Sequence, residues 1–261
     1  MNNRFDKGWK KLQEVDGEVG ERVINSLETL APDLGKYIIE FAFGDIYCRP
    51  TLDLKQRQFI AIASLATLGG CEAQLTVHIE AGLNVGLTPN EIIEIIIHTI
   101  SYVGFPRALN GIYVAKTVFE KRNIKPIKAT EDDFSNRYEK GLNLLQILDT
   151  PAADIMKSLS EIAPDMAKYV IEFGYGDICS RSGLELKTRE LVTIAEITTL
   201  GGAEGQLKFH VGAGLNIGLT PNEIIEGIMQ TTWSVGFPRV LNAVYAAQDV
   251  FGQRDVKPVW E

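Results

Sequence analysis

Residues 30–49, LAPDLGKYIIEFAFGDIYCR, return at 162–181 as IAPDMAKYVIEFGYGDICSR. Residues 69–91, GGCEAQLTVHIEAGLNVGLTPNE, return at 201–223 as GGAEGQLKFHVGAGLNIGLTPNE. The string VGFPRALNGIYVAKTVFEKRNIKP (103–126) returns as VGFPRVLNAVYAAQDVFGQRDVKP (235–258). The register holds at 132 residues (His78 to His210, 210 − 78 = 132) from about Ala31 to Pro126. The openings RFDKG (4–8) and RYEKG (137–141) correspond at 133. A period this long is a domain, not a solenoid unit. The chain is expected to fold as two homologous domains, 1–128 and 129–261, joined in the polar stretch KPIKATEDDFS (125–135) and packed about a pseudo-twofold axis.

Each copy reads as helices. In GLTPNEIIEIIIHTISYVG, Thr88 stands as an N-cap, Pro89 at the first helical position and Glu91 three residues after the cap, which is a helix start. Ile92, Ile93, Ile96 and Ile97 follow at helical spacing. Further helices are predicted over 33–47, 52–68, 71–85 and 106–122, with Gly69-Gly70 ending the second of them. Phe59–Leu65 and Ile92–Ile97 have strand propensity, but their length between breakers favours helix. The expected fold class is all-α.

The Gly-Gly turn leaves little room, so the helices on either side must run antiparallel. Cys71, Gln74 and His78 fall at i, i+3 and i+7 on one face; the second copy puts Ala203, Gln206 and His210 there. Gln58 lies about 17 Å back along the preceding helix and His78 about 13 Å forward along the next, at ~1.5 Å per residue, so the two face one another. The second copy has Glu190 in place of Gln58. Glutamate, cysteine and histidine on facing helices make a proton relay around a thiol or an acidic substrate. No single copy holds all three.

These residues resemble the carboxymuconolactone decarboxylase family, which includes the alkylhydroperoxidase D-like proteins. The resemblance rests on R-[EQ]-x-x-x-x-A, GG-x-E-x-Q-L-x-x-H, L-N-x-G-x-T-x-x-E-I and G-F-P, and covers nearly the whole chain twice. It implies two helical alkylhydroperoxidase D-like domains, no metal and no organic cofactor. It also implies a ring in which each lobe takes the place of one of six single-domain subunits, so a homo-oligomer of three tandem chains. One implied activity is the carboxy-lyase reaction of 4-carboxymuconolactone decarboxylase. The other is reduction of peroxides or disulfides by a Cys-x-x-Cys pair, whose first cysteine matches Cys71 and Ala203, and whose second matches Gln74 and Gln206. A local disulfide cannot form at those positions. What remains of the antioxidant reading is a lone Cys71 thiol, or its pairing with Cys48.

The leading expectation is therefore cofactor-free acid–base decarboxylation of a carboxylated lactone or related small acid. His78 and His210 act as acid/base, Glu190 as relay, and Gln74 and Gln206 as polar orienters. Arg107 and Arg239, at helix starts where a cation is poorly placed, call for a negative partner, either a substrate carboxylate or a structural Asp or Glu. Thiol chemistry at Cys71, or a helical assembly protein without catalysis, are the alternatives. His98 against Gln230, Tyr102 against Ser234 and Ser101 against Trp233 say that the two sites have diverged.

A formal charge of −8 argues against a nucleic-acid surface. No run of about 18 apolar residues marks a membrane span. The opening residues lack a secretory apolar run, and three scattered cysteines make no disulfide framework. A reducing cytoplasm is the expected compartment.

Overall fold

The computed structural model describes residues 3–125, 135–149 and 152–260, and among them every regular element is a helix. The first lobe contains α1 (Asn3–Val15), α2 (Glu18–Leu27), α3 (Pro32–Tyr37), α4 (Leu54–Leu68), α5 (Glu72–Asn84), α6 (Pro89–His98) and α7 (Ile100–Lys121). The second contains α8 (Arg137–Leu148), α9 (Ala152–Ile162), α10 (Pro164–Tyr169), α11 (Leu186–Leu200), α12 (Glu204–Asn216), α13 (Pro221–Gln230), α14 (Thr232–Val235) and α15 (Phe237–Gln253). The pair α14 and α15 corresponds to α7, which itself bends at Gly104 (φ 74°) where the second lobe breaks at Gly236 (φ 76°). The junction expected at 128/129 lies outside the described residues.

The continuous α-helix expected over 33–47 is only α-helical to Tyr37. Residues Ile38–Tyr47 continue as a π-helix, and Val170–Cys179 do the same after α10. Each π-helix is packed on the first helix of its lobe at backbone contact. A Cβ on Gly8 would lie 2.0 Å from the Ile39 carbonyl oxygen, and one on Gly141 would lie 2.0 Å from that of Ile171. Only glycine lets the two helices approach so closely. Long π-helices are rare and concentrate at functional sites; here both line a cavity.

Helix α4 begins at a capping box in which the Asp53 carboxylate accepts from Gln56 N–H and the Gln56 side chain accepts from Asp53 N–H. It ends at Gly69 and Gly70, both at positive φ (67° and 68°), which turn the chain back into α5. Every residue of α4 from Arg57 to Thr67 is buried. Its own lobe covers one side and α11 covers the other. That two-sided burial explains the strand-like composition of Phe59–Leu65: a helix enclosed all round has no polar stripe.

Helix α6 starts at the Thr88/Glu91 capping box, with both reciprocal bonds made. Its buried stripe is Ile92, Ile95 and Ile96, with Ile93 and Ile97 only partly covered. The stripe is rotated from the expected one because Glu94 and His98 are also buried, against the other lobe. Arg189, itself fully buried, bonds Glu94 Oε2 (3.3 Å), the Arg181 carbonyl (2.7 Å) and His98 Nδ1 (3.5 Å). Arg57 bonds Glu226 Oε2 (3.3 Å), the Arg49 carbonyl (2.7 Å) and Gln230 Oε1 (2.7 Å) in the mirror arrangement. The apolar core is shared in the same way, since Leu52 and Ile60 pack with the second lobe while Leu184 and Val192 pack with the first. The two lobes are one folded body.

Candidate active site

The antiparallel α4–α5 hairpin brings Gln58 and His78 together as their spacing predicts. His78 Nδ1 lies 3.1 Å from Gln58 Oε1, and Gln58 Nε2 donates to the Tyr47 hydroxyl at 3.1 Å. With its proton on Nδ1, donated to Gln58 Oε1, the ring leaves Nε2 as the nitrogen free for the cavity. Burial holds the His78 pKa down, at about 4, so the ring is neutral at physiological pH. The second lobe is chemically different. His210 Nδ1 is 2.8 Å from Glu190 Oε2, while Nε2 is 3.4 Å from the Tyr102 hydroxyl. Thr193 Oγ1 donates to that hydroxyl at 3.2 Å.

Tyr102 belongs to α7 of the first lobe, so the second lobe's histidine is completed by the first. The reverse also holds. Trp233 of α14 stacks on His78 with ring centroids 4.7 Å apart and planes 27° from parallel. Sequence comparison of the two copies marked Tyr102 and Trp233 as divergent, but only the lobe packing puts each beside the opposite histidine.

His78 lies in a cavity of about 560 Å³. Its walls are largely apolar, among them Leu12, Ile24, Ile38, Phe43 and Leu65, with Trp233 from the other lobe. Among the described residues, the polar groups are Asp16, Tyr47, Cys71, Gln74, His78 and Ser234, with no lysine or arginine. The cavity of His210 is about half as large, 280 Å³, and is lined by Tyr102, Tyr169, Phe173, Tyr175 and Cys179. It too has no cationic side chain.

Cys71 is the N-cap of α5 and Ala203 that of α12, and neither side chain caps its helix. Helices α4, α6 and α13 all carry capping boxes. The difference between the two copies at this position is thus a difference between two non-capping residues. It leaves the N-terminus of α5 without a side-chain cap, and Cys71, Ala73 and Gln74 of that terminus line the cavity; such a terminus attracts anions. The thiol donates to the Leu65 carbonyl at 3.3 Å. Burial, with help from Glu72, pushes its pKa up, the opposite of an activated thiolate. Cys48, Cys71 and Cys179 are all unpaired.

Four expected site residues stand apart from this arrangement. Gln206 is exposed and does not line the His210 cavity. Glu190 is fully buried and reaches that cavity only through His210. Arg107 donates to the Thr67 carbonyl at 2.6 Å, and Arg239 to that of Thr199 at 2.5 Å. Each arginine covers the first glycine of its turn. The positive charge at a helix start therefore answers the C-terminal carbonyls of another helix, α4 for Arg107 and α11 for Arg239. Both lie outside the histidine cavities; Arg239 borders a separate hollow of about 140 Å³ with Ala203 and Glu204.

Sequence reasoning missed Asp16 and Tyr47. Both are buried and both line the His78 cavity. The signal was present for Asp16: Asp149 stands at the same place in the second copy, at the 133-residue offset of the openings.

The sequence model of the carboxymuconolactone decarboxylase family matches twice, over residues 32–117 and 164–249. The chain belongs to that family. The two matches span the α4–α5 and α11–α12 hairpins and reach into α7 and α15. A 4-carboxymuconolactone decarboxylase of Acinetobacter baylyi is 33% identical over 130 residues, which is 49% of this chain and 96% of that protein. A nitrosuccinic acid decarboxylase of Metarhizium robertsii is 35% identical over 120 residues, 43% of this chain and 78% of that one. A Burkholderia xenovorans crystal structure, described as a gamma-carboxymuconolactone decarboxylase subunit, superposes with a TM-score of 0.59 at 23% identity. It covers 96% of this chain and 98% of its own. At that identity the superposition speaks for the two-lobed fold. This member of the carboxymuconolactone decarboxylase family is thus a decarboxylase-like protein in tandem form. Among the described residues no helix is long and apolar enough to cross a membrane, and no cluster of three metal-ligating side chains is present.

Proposed function

We propose that the protein is a cofactor-free carboxy-lyase, acting in the first-lobe cavity on a small and largely apolar carboxylic acid. The relatives' named substrates share one feature. Loss of CO2 leaves a carbanion that a neighbouring carbonyl or nitro group can delocalise. The observation that carries the reading is a cavity with apolar walls and no cation, bordered by the uncapped N-terminus of α5. That terminus seats a carboxylate through backbone N–H groups. A full cation there would stabilise the ground-state carboxylate more than the transition state, in which the charge is leaving. The apolar walls bind the remainder of the substrate.

In this reading His78 is a hydrogen-bond acceptor and base through Nε2, oriented by Gln58 and covered by Trp233. Gln74, at the cavity edge, orients the bound acid. The His210–Glu190 pair serves the same acid–base chemistry on a smaller molecule, in a cavity that admits less. Arg107 and Arg239 are turn-bracing residues, and Gln206 stands outside the reading.

The thiol-dependent alternative has less support, because Cys71 is held as a thiol and no second cysteine follows at the resolving position. Oligomerisation is supported by a repeated apolar stripe. Phe105, Leu109 and Tyr113 on α7 are exposed, as are Phe237, Leu241 and Tyr245 at the matching places on α15. A second copy of the chain would bury both stripes, and light scattering on the purified protein would give the copy number.

The deciding experiment is CO2 release from 4-carboxymuconolactone and from small acids with an oxo group β to the carboxylate or a nitro group on its α-carbon. Wild type, His78→Ala and His210→Ala are compared. Release that His78→Ala abolishes supports the reading. Release from no acid of this set, with peroxide consumed in a Cys71-dependent manner, would replace it with the thiol alternative.

A further inference from the structure

Loss of CO2 from a carboxylate consumes a proton, so the function proposed above requires an acid beside the reacting carbon. Four titratable side chains line the first-lobe cavity: Asp16, Tyr47, Cys71 and His78. Tyr47 and Cys71 hold their protons more tightly than usual, chiefly through burial. His78 carries no releasable proton at neutral pH, because burial keeps it neutral and its remaining N–H is bound to Gln58.

Asp16 is different. It lies between Val15, the last residue of α1, and Gly17, the N-cap of α2, and its N–H donates to the Leu12 carbonyl at 2.8 Å. Helix α2 closes over it at Gly20, where a Cβ would lie 2.6 Å from the Asp16 Cβ. The residue is 5% exposed, and its Oδ1 has no hydrogen-bond partner. An unsatisfied buried carboxyl is costly, and this one lies at the wall of the cavity. Burial pushes its pKa up to about 7. In the second lobe the matching Asp149 is only partly buried and does not line the histidine cavity.

We infer that Asp16 is the acid that protonates the carbanion left by CO2 loss in the first-lobe cavity. This rests on the decarboxylation reading and goes beyond it by naming the proton source. The bond between the carboxylate and its carbon breaks, its electron pair stays on that carbon and delocalises into the adjacent carbonyl or nitro group, and CO2 leaves. The Asp16 O–H bond then breaks as a C–H bond forms. Asp16 is left as a carboxylate and regains a proton from water. Nothing is oxidised or reduced, apart from the internal redistribution of that electron pair. A substrate carboxylate in the cavity disfavours ionisation of Asp16, which keeps the donor loaded until CO2 departs.

The test uses the full chain, wild type and Asp16→Asn, with the same acids as probes. Rates are read from about pH 5 to about pH 9, and wild-type protein labelled at aspartate carboxyl carbons is titrated by NMR. In wild type, Asp16 should titrate near neutrality, and kcat/KM should fall about tenfold per pH unit above that point. Asp16→Asn should lower kcat about 100-fold or more, leave KM within about threefold, and abolish the fall near neutrality. A variant that keeps wild-type kcat and pH profile would overturn the role of Asp16 while leaving decarboxylation standing. An Asp16 carboxyl that titrates in wild type near the ordinary value of about 4 would overturn it even where the variant fails to fold. Wild type that releases CO2 from none of the acids overturns the decarboxylation reading itself, and the assignment of Asp16 with it.

Discussion

Trp233 lies over His78, its ring centroid 4.7 Å from the imidazole, although the two residues come from opposite lobes. The indole excludes water from one face of the ring and helps to hold the histidine neutral. Trp233→Ala should raise the His78 pKa from about 4 toward the ordinary value of about 6.5. It should also cost about 2 kcal/mol of stability, below the range for a fully enclosed tryptophan because this one is partly exposed. Imidazole NMR titration and urea unfolding measure the two effects.

Gln58→Glu would give the first lobe the carboxylate that Glu190 supplies to His210. A carboxylate accepting from Nδ1–H favours the imidazolium. The His78 pKa should rise by one unit or more, and the activity optimum of this lobe should shift to higher pH. An unchanged His78 titration would show that the variant carboxyl does not face the ring.

Two buried groups in one cavity should pull stability in opposite directions as pH changes. The folded pKa of His78 is depressed to about 4, so the unfolded chain takes up more protons below about 6.5, and stability falls as pH drops through that window. The folded pKa of Asp16 is raised to about 7, so its contribution is fully present below about 4 and is lost as pH rises toward 7. The two slopes should largely cancel in wild type between about pH 4 and 6.5. Relative to wild type, Asp16→Asn should gain stability with rising pH and His78→Asn should lose it. The difference should reach at most about 3 kcal/mol for His78→Asn and about 4 kcal/mol for Asp16→Asn. Denaturant midpoints at three pH values would show the crossing.

Arg57 and Arg189 tie the lobes together through buried ion pairs. Arg57→Ala leaves Glu226 facing only Arg49 and leaves Gln230 without its donor, which should cost about 3–5 kcal/mol. Since each histidine relies on an aromatic residue from the other lobe, both sites should lose activity. A destabilised variant that keeps full activity in both would show that lobe packing and site assembly are separable.

Cys71→Ser separates the thiol reading from the helix-terminus reading. Serine caps helices well, so the variant should be more stable by about 0.5–1 kcal/mol. By occupying N–H groups that the substrate carboxylate uses, it should raise KM severalfold and change kcat little. Loss of turnover with unchanged KM would point to the sulfur instead.

Much of this protein was fixed by local pattern. The duplication and its register set the tandem plan. The Thr88/Glu91 box and the Gly69-Gly70 turn set helix boundaries, and helical rise along two antiparallel helices placed Gln58 opposite His78. Those relations depend on residues close in the chain, whose geometry is nearly independent of what packs outside. The tertiary structure decided what lies beyond that hairpin. It turned Ile38–Tyr47 into a π-helix under α1, buried Glu94 and Arg189 by closing one lobe on the other, and moved Trp233 and Tyr102 into opposite cavities. It set Arg107 and Arg239 on the carbonyls of Thr67 and Thr199, at the C-terminal ends of α4 and α11. Asp16 is a plain residue at a helix end in the sequence. Burial beneath α2, beside a cavity without cations, is what makes it an acid, and burial is a property of the packed chain alone.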